Sequence, residues 1–413
     1  MSMATSTSDR FYVWVWLPGE TSPVTAGVLA PRGTDLRFRY GDRYLERPNA
    51  ISLGPDLPLG TDWHEPQADL HMPGSVRDAA PDAWGRQVIL NRLTGRRGVD
   101  ADTSLLDERT YLLQSGSNRF GALDFQTSAT DYIARRDTGS LDMLHQAADL
   151  VAAGLPVPEP LADALTLGTA IGGARPKALL EADGKHYIAK FSTSTDPFSV
   201  VGAEAASIVL ARKAGIRVTD SHVVRSLGRD VLLIERFDRV DGGRRLAVSG
   251  LTILGLGEMT SRYGTYPDLL DKLRASATAP ETVGEELFTR IAFNIAISNT
   301  DDHLRNHAAF WDGEHLDLTP AYDLSPMNRS GETAKQILAY GRDGERDSTF
   351  VGLVAQSHVY GLSQVRGREI VKDLIATISD GWDEAAELAR LTATDKMLLF
   401  GRQILNPGTT HGL

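Results

Sequence analysis

Three residues constrain this chain more than any other feature: an Asp, an Asn five positions later, and a second Asp seventeen residues beyond. The first two stand in Ile297-Ser298-Asn299-Thr300-Asp301-Asp302-His303-Leu304-Arg305-Asn306, and the third closes Ala321-Tyr322-Asp323. Just upstream, Val283, Leu287, Ile291 and Ile295 fall four apart, which predicts a buried helix running into the first motif. His307 to Trp311, the turn Asp312-Gly313 and Leu316 to Thr319 predict a hairpin between the two motifs. In that order the three side chains have the spacing of a phosphoryl-transfer site. Asp301 would be the base beside an incoming hydroxyl, and Asn306 and Asp323 the oxygen ligands of Mg2+. His303 and Arg305 lie between the first two and can reach phosphate. Taken alone, an Asp-Asp-His loop reads equally well as a solvated turn.

Such chemistry also needs a loop over the phosphates and a cation on them. Gly172-Gly173-Ala174-Arg175-Pro176-Lys177 lies between two predicted strands, and adjacent glycines let backbone approach phosphate closely. It matches neither the Walker loop nor G-x-G-x-x-G, so a plain glycine turn is the other reading. Lys190 follows the tight turn Asp183-Gly184 on a predicted strand, flanked by Ile188, Ala189 and Phe191. Half committed to a core face, it needs a partner, and Glu204 at the start of the next helix can supply one. An exposed strand lysine is the alternative. Leu233 to Asp238, with Glu235, Arg236 and Phe237 at its centre, reads as a hinge whose backbone faces adenine, or else as an edge strand with solvated charges.

The bulk properties set outer limits. A length of 413 residues suggests two or three domains. The net charge of -11 gives no overall attraction to nucleic acid, so contact with DNA would be indirect, through a partner. With no cysteine, disulfides, thiolate metal sites and cysteine nucleophiles are excluded. The apolar stretch Phe11 to Leu17 is too short for a leader or a membrane span, so no membrane association and a cytoplasmic location are expected.

Along the chain, residues 1–135 read as a β-rich accessory α+β domain, with a helical pattern from Asp78 to Leu93. Residues 104–125 continue as a helix and a small turn. Pro156, Pro158 and Pro160 suit a linker. Residues 136–240 carry the glycine loop, the lysine strand and the hinge, with a strand expected at Leu165-Thr166-Leu167 and a helix over Ala203 to Ala214. Residues 241–413 are mostly helical, with a tail from Asn406 that looks loose. The expected class is α+β, a divergent two-lobed protein-kinase-like fold with an N-terminal β-rich accessory domain.

At these residues the chain resembles the HipA family, the kinase toxins of bacterial toxin–antitoxin pairs. The resemblance rests on Gly172 to Ala178, Glu235 to Arg239, Asn299 to His307 and Leu318 to Asp323, the last including Tyr322. Val15 to Gly19 and Arg77 to Arg86 are similar to the family's first domain. The resemblance implies a serine/threonine kinase using ATP and Mg2+, with a translation component such as an aminoacyl-tRNA synthetase as protein substrate. It also implies a small HipB-like DNA-binding antitoxin as partner. It places Gly172 to Lys177, Lys190, Glu235 to Phe237, His303, Leu304, Arg305, Asn306, Tyr322 and Asp323 around ATP, with Asp301 as base. Two departures stand out. Where many members carry an autophosphorylated serine, this chain has Ala170 beside Thr169. It also lacks His-Arg-Asp and Asp-Phe-Gly motifs, since Leu324-Ser325 follows Asp323.

Two other readings use the same residues. A catalytically silent kinase-like protein could serve as antitoxin partner and co-repressor. A metal-dependent phosphohydrolase could use Asp301, Asp302, His303, His307 and Asp323, although it leaves Lys190 and the glycine loop without roles.

Overall fold

Burial alternates along Asp35 to Tyr40, the pattern of a strand with one covered face. In the computed structural model, which describes residues 9–67, 69–95, 102–135, 139–155, 157, 158, 160–162, 176–193, 196, 198–329 and 331–413, β1 (Phe11–Val15), β2 (Val24–Arg32), β3 (Asp35–Tyr40) and β4 (Leu123–Gln126) pair in the order β3-β2-β1-β4. Leu36, Phe38 and Tyr40 alternate inward on β3 and join Phe11, Val13, Leu29 and Phe125 in one core.

A second antiparallel sheet has the order β5-β6-β8-β7, formed by β5 (Lys177–Ala182), β6 (Lys185–Phe191), β7 (Ser221–Ser226) and β8 (Arg229–Glu235). Both of its hairpins close on two-residue turns, Asp183-Gly184 and Leu227-Gly228, whose residues all have positive φ. Such turns match the twist of the strands they join. One face of this sheet packs Ala178, Ala189, Phe191, Val231 and Leu233 against helices α1 (Ala83–Thr94) and α2 (Leu141–Ala152). The other face carries α3 (Val200–Lys213), through Ala203, Ala206 and Leu210 against Leu232 and Ile234.

The remainder is largely helical, built on α4 (Tyr266–Ser276), α5 (Pro280–Ala296) and α6 (Gln364–Leu388). On α5 the predicted stripe of Val283, Leu287, Ile291 and Ile295 is buried throughout. The predicted hairpin forms as β12 (Ala308–Trp311) and β13 (Leu316–Leu318), and β11 (Ala247–Ser249) adds a third strand that periodicity did not signal. Between the second and third sheets runs the two-stranded ribbon of β9 (Arg239–Val240) and β10 (Gly243–Arg244). No helix among the described residues is long and apolar enough to cross a membrane.

Several local expectations need correction. The helical stretch from Asp78 to Leu93 is two helices, Gly74–Asp78 and α1, because Pro81 breaks the ladder and Asp82 caps the second. Residues 104–125 include the start of β4, whose side chains are buried on both faces and so show no alternation. β8 lies between β6 and β7, so it is not an edge strand. The tail is packed rather than loose. Leu405 donates its N–H to Ala296 O at the end of α5 (2.7 Å), Asn406 caps the helix Pro407–Thr410, and Thr409 is fully buried. The strand expected at Leu165-Thr166-Leu167 lies outside the described residues, as does Pro156.

The first sheet is tied to the rest by buried charge. Arg236 and Asp238 are 4% and 2% exposed, and the guanidinium donates to the carboxylate at 2.9 and 2.7 Å. Arg236 also donates to Asn118 Oδ1 and Arg119 O, and Asp238 accepts from Gly121 N–H. Arg239 adds a second cation 3.2 Å from Asp238. Removing one member of a buried network strands its partners. Asp238→Ala should therefore lower unfolding free energy by about 3–5 kcal/mol in denaturant titrations, whereas an exposed change such as Asp383→Ala should stay within about 0.5 kcal/mol.

Candidate active site

Lys190 leaves the second sheet on the face covered by α3, because its neighbours Ala189 and Phe191 commit the opposite face to the α1–α2 core. Its ammonium donates to Glu204 Oε1 at 2.6 Å and to Asp323 Oδ1 at 2.6 Å. Glu204 projects from the first turns of α3 and is 3% exposed. Burial favours neutral Glu204, and Lys190 counters that by favouring the carboxylate. Burial likewise works against charge on Lys190, but Asp323 and Glu204 outweigh it and hold the ammonium charged above the usual lysine range. Lys190 in turn holds Asp323 down to about 2.

Asp323 has φ of +58°, a backbone conformation that few side chains other than Asn and Asp tolerate. Two contacts fix the turn against the Asp301 loop: Asn299 Nδ2 donates to Asp323 O (3.2 Å), and Tyr322 Oη donates to Arg305 O (2.6 Å). The loop itself begins where α5 ends. Ser298 takes φ of +54°, Asn299 N–H returns to Asn294 O, and a 3₁₀ turn spans Leu304–Asn306. Asp302 is buried beneath it, and its Oδ2 accepts from Tyr266 Oη, Asn294 Nδ2 (2.6 Å) and His307 Nε2 (2.8 Å). With that anchor inward, the adjacent Asp301 faces solvent and Asn306 Nδ2 points back to Asp301 O at 3.4 Å.

Contacts thus bring together Lys190, Glu204, Asp323, Tyr322 and the Asp301–Asn306 loop. His303 lies close enough to Asp323 to favour its ionised form, and its buried Nδ1 has no hydrogen-bond partner among the described residues. Arg305 pairs with Glu258. Lys177 sits beside Lys190 on the neighbouring strand. Leu304, expected to surround nucleotide, instead places its side chain in the C-terminal core, 1% exposed, because the 3₁₀ turn rotates it inward. In the hinge, the N–H groups of Glu235 and Arg236 are taken by Asp220 O and His186 O, and the Arg236 side chain turns toward residues 118–119. Phe237 stays at the site: its ring meets Tyr322 and Phe310, both at 5.7 Å between centroids. Pro176 directly precedes β5, while Gly172, Gly173, Ala174, Arg175, Thr169 and Ala170 lie outside the described residues.

Sequence reasoning missed Asn299, Tyr266, Asn294 and His307 as the scaffold of the loop. The polar side chain of Asn294 within the apolar run of α5 is the one signal that pointed to a buried partner.

With this geometry in place, comparison with known proteins is specific. The HipA-like C-terminal domain matches residues 169–382, and the HipA N-terminal domain matches residues 15–126. The chain belongs to the HipA family. Among curated HipA relatives, the toxin YjjJ of Escherichia coli is 27% identical over 172 residues, 39% of this chain and 39% of its own length. The serine/threonine-protein kinase toxin HipA of Shewanella oneidensis is 25% identical over 205 residues, 43% of this chain and 47% of its own. These two matches span less than half of either relative. The putative kinase Y4mE of Sinorhizobium fredii is 25% identical over 348 residues, 75% of this chain and 76% of its own. The solved complex of Shewanella oneidensis HipA with HipB and operator DNA shares the fold, with TM-score 0.63 and 19% identity over 94% of this chain and 96% of that one. The protein therefore has the kinase-like fold of HipA with an N-terminal domain before it.

The donors available suit magnesium. Lys190 takes Asp323 Oδ1, and no hydrogen bond from the described residues reaches Asp323 Oδ2 or Asn306 Oδ1. Both are hard oxygen ligands. No group of three or more His, Asp or Glu among the described residues is arranged to hold a metal ion. The two-metal hydrolase reading loses two of its ligands, since Asp302 and His307 are paired with each other in the interior.

Because Asp323 is held ionised in the fold, its contribution to stability is present above the ordinary carboxylate value of 3.8 and is lost as pH falls toward about 2. The stability difference between wild type and Asp323→Asn should be flat near neutrality and shrink through that acid window in pH-resolved melts.

Proposed function

We propose that this HipA-family chain is an ATP- and Mg2+-dependent serine/threonine protein kinase, acting as the toxin of a toxin–antitoxin pair. One observation carries the reading: a sheet lysine bridges a helix glutamate and the aspartate behind the β12–β13 hairpin, next to a loop presenting Asp301 and Asn306. A hydrolase has no need of that lysine, whereas a kinase uses it to hold ATP phosphates.

In this mechanism Lys190 binds the α- and β-phosphates and Glu204 holds its ammonium in place. Asn306 Oδ1 and Asp323 Oδ2 would hold magnesium, which when bound neutralises charge on the phosphate oxygens. Phe237 and Tyr322 border the space for the base. Asp301, exposed at the rim, takes the proton from the substrate hydroxyl as that oxygen bonds to the γ-phosphorus and the bond to the β–γ bridging oxygen breaks. His303 Nδ1 stands where it can donate to a phosphate oxygen.

The substrate class is a protein serine or threonine, with a translation component such as an aminoacyl-tRNA synthetase as the target. The partner is a HipB-like antitoxin, consistent with the assembly of the Shewanella oneidensis protein, and DNA is contacted only through it. The three regions 1–135, 136–240 and 241–413 serve as accessory domain, nucleotide lobe and catalytic lobe. With alanine at 170, self-phosphorylation should be weak or directed to Thr169.

Asp301→Ala should reduce phosphoryl transfer to protein about 10²–10⁴-fold while keeping Mg-ATP binding, and Asp323→Ala should lose both. Labelled ATP added to cell extract with each variant reads the transfer, and calorimetry reads the binding. Tight nucleotide binding with no labelled protein from the wild type would favour the silent co-repressor instead.

A further inference from the structure

Lys177 and Lys190 are direct partners in the β5–β6 ladder, so their side chains leave the sheet on the same face. Their Cβ atoms then lie about 4.5–5.5 Å apart. Two like charges in that position repel, and water cannot relieve them: Lys177 is 5% exposed and the Lys190 side chain 18%. Glu204 and Asp323 answer Lys190. Beside Lys177 stands a carboxylate from the chain's first region, Asp82. Asp82 Oδ2 lies 3.5 Å from Lys177 Nζ and carries no hydrogen bond among the described residues, so the two form a buried ion pair.

Asp82 is well fixed for this. It caps α1, with Oδ1 accepting from Gly85 N–H at 2.7 Å. Trp84 and Val88 of α1 pack on the opposite face of the same sheet, and β5 is the sheet's edge strand. The helix start therefore reaches round the edge to the lysine. Burial pushes Asp82 up to about 6, with Lys177 and Arg305 opposing, so the carboxylate stays charged at neutral pH. Burial also draws Lys177 down, with Asp82 and Asp323 opposing and Lys190 adding to the fall. Each member of the pair favours the charged form of the other against burial. Glu204 adds a further carboxylate in the same field.

We propose that Asp82 is a positioning residue that keeps Lys177 as a second ammonium beside Lys190, so that the phosphates of a bound nucleotide meet two adjacent lysines, one of them anchored from the N-terminal domain. The proposal rests on the nucleotide reading above and deepens it: the accessory domain becomes part of the phosphate site. Asp82 itself touches no substrate.

Asp82→Asn and Asp82→Ser both keep a capping oxygen for α1 while removing the charge. In the full chain, each should weaken Mg-ATP binding by roughly 10–100-fold, the scale of one charge-assisted contact, and raise KM for ATP several times more than it lowers kcat for ATP consumption. Lys177→Gln should lose a similar factor, and the Asp82→Asn/Lys177→Gln double variant should lose no more than the worse single one. Binding by both Asp82 variants within about twofold of wild type, the scale of the usual few-tenths kcal/mol error of such cycles, would overturn the proposal, as would additive losses in the double variant. Failure of both variants to fold would overturn it too, by making the carboxylate structural. Wild-type protein that binds no Mg-ATP would instead remove the nucleotide reading on which the proposal stands.

Discussion

The ammonium of Lys190, held between Glu204 and Asp323, is the contact on which the rest of the molecule converges. Its three members come from a strand, a helix and a turn, separated by 14 and 133 positions in sequence. A lysine so buried without a counter-charge would be severely destabilising. The second sheet, α3 and the segment after β13 must therefore be in place together for any one of them to be satisfied. The contact that ties sheet, helix and turn together is then also the place where the proposed function puts phosphate.

A second layer of polar anchoring makes the first one geometrically definite. Asp302 gathers three donors from α4, α5 and the end of its own loop, which leaves its neighbour Asp301 turned outward. Asn299 and Tyr322 stitch that loop to the Asp323 turn. The left-handed backbone at Ser298 and at Asp323 is tolerated because these bonds over-determine it. Hydrogen bonds, more than apolar packing, set where the side-chain oxygens of Asp301, Asn306 and Asp323 lie.

Much of this was legible in the residues themselves. The stripe on α5, the Asp312-Gly313 turn and the apolar surroundings of Lys190 are local signals. So is Glu204, which the start of a predicted helix made the natural partner. What stayed hidden depends on distance along the chain. Asp82 falls inside a stretch that reads as one continuous helix, and its role beside Lys177 needs a strand edge 95 positions away. β11 is three residues long, too short for alternation to register. The tail looks polar and breakable in sequence, yet Leu405 closes onto the last turn of α5 and Asn406 caps a short helix. Pro81 should have divided the helical stretch around it, and the run of apolar residues on either side masked that break.

The β5–β6 hairpin shows how a remote turn can govern the site. Asp183 and Gly184 close it with φ of +52° and +74°, and six paired positions lead from there to Lys177 opposite Lys190. At about 3.3 Å per residue the turn is some 15–20 Å from the lysines, with no contact between them. Yet the tip counts the residues out. One amino acid inserted there would shift the pairing by a single place and turn one lysine into the apolar layer under α1. The length of an exposed loop, more than its chemistry, thus keeps both positive charges on the same side of the sheet.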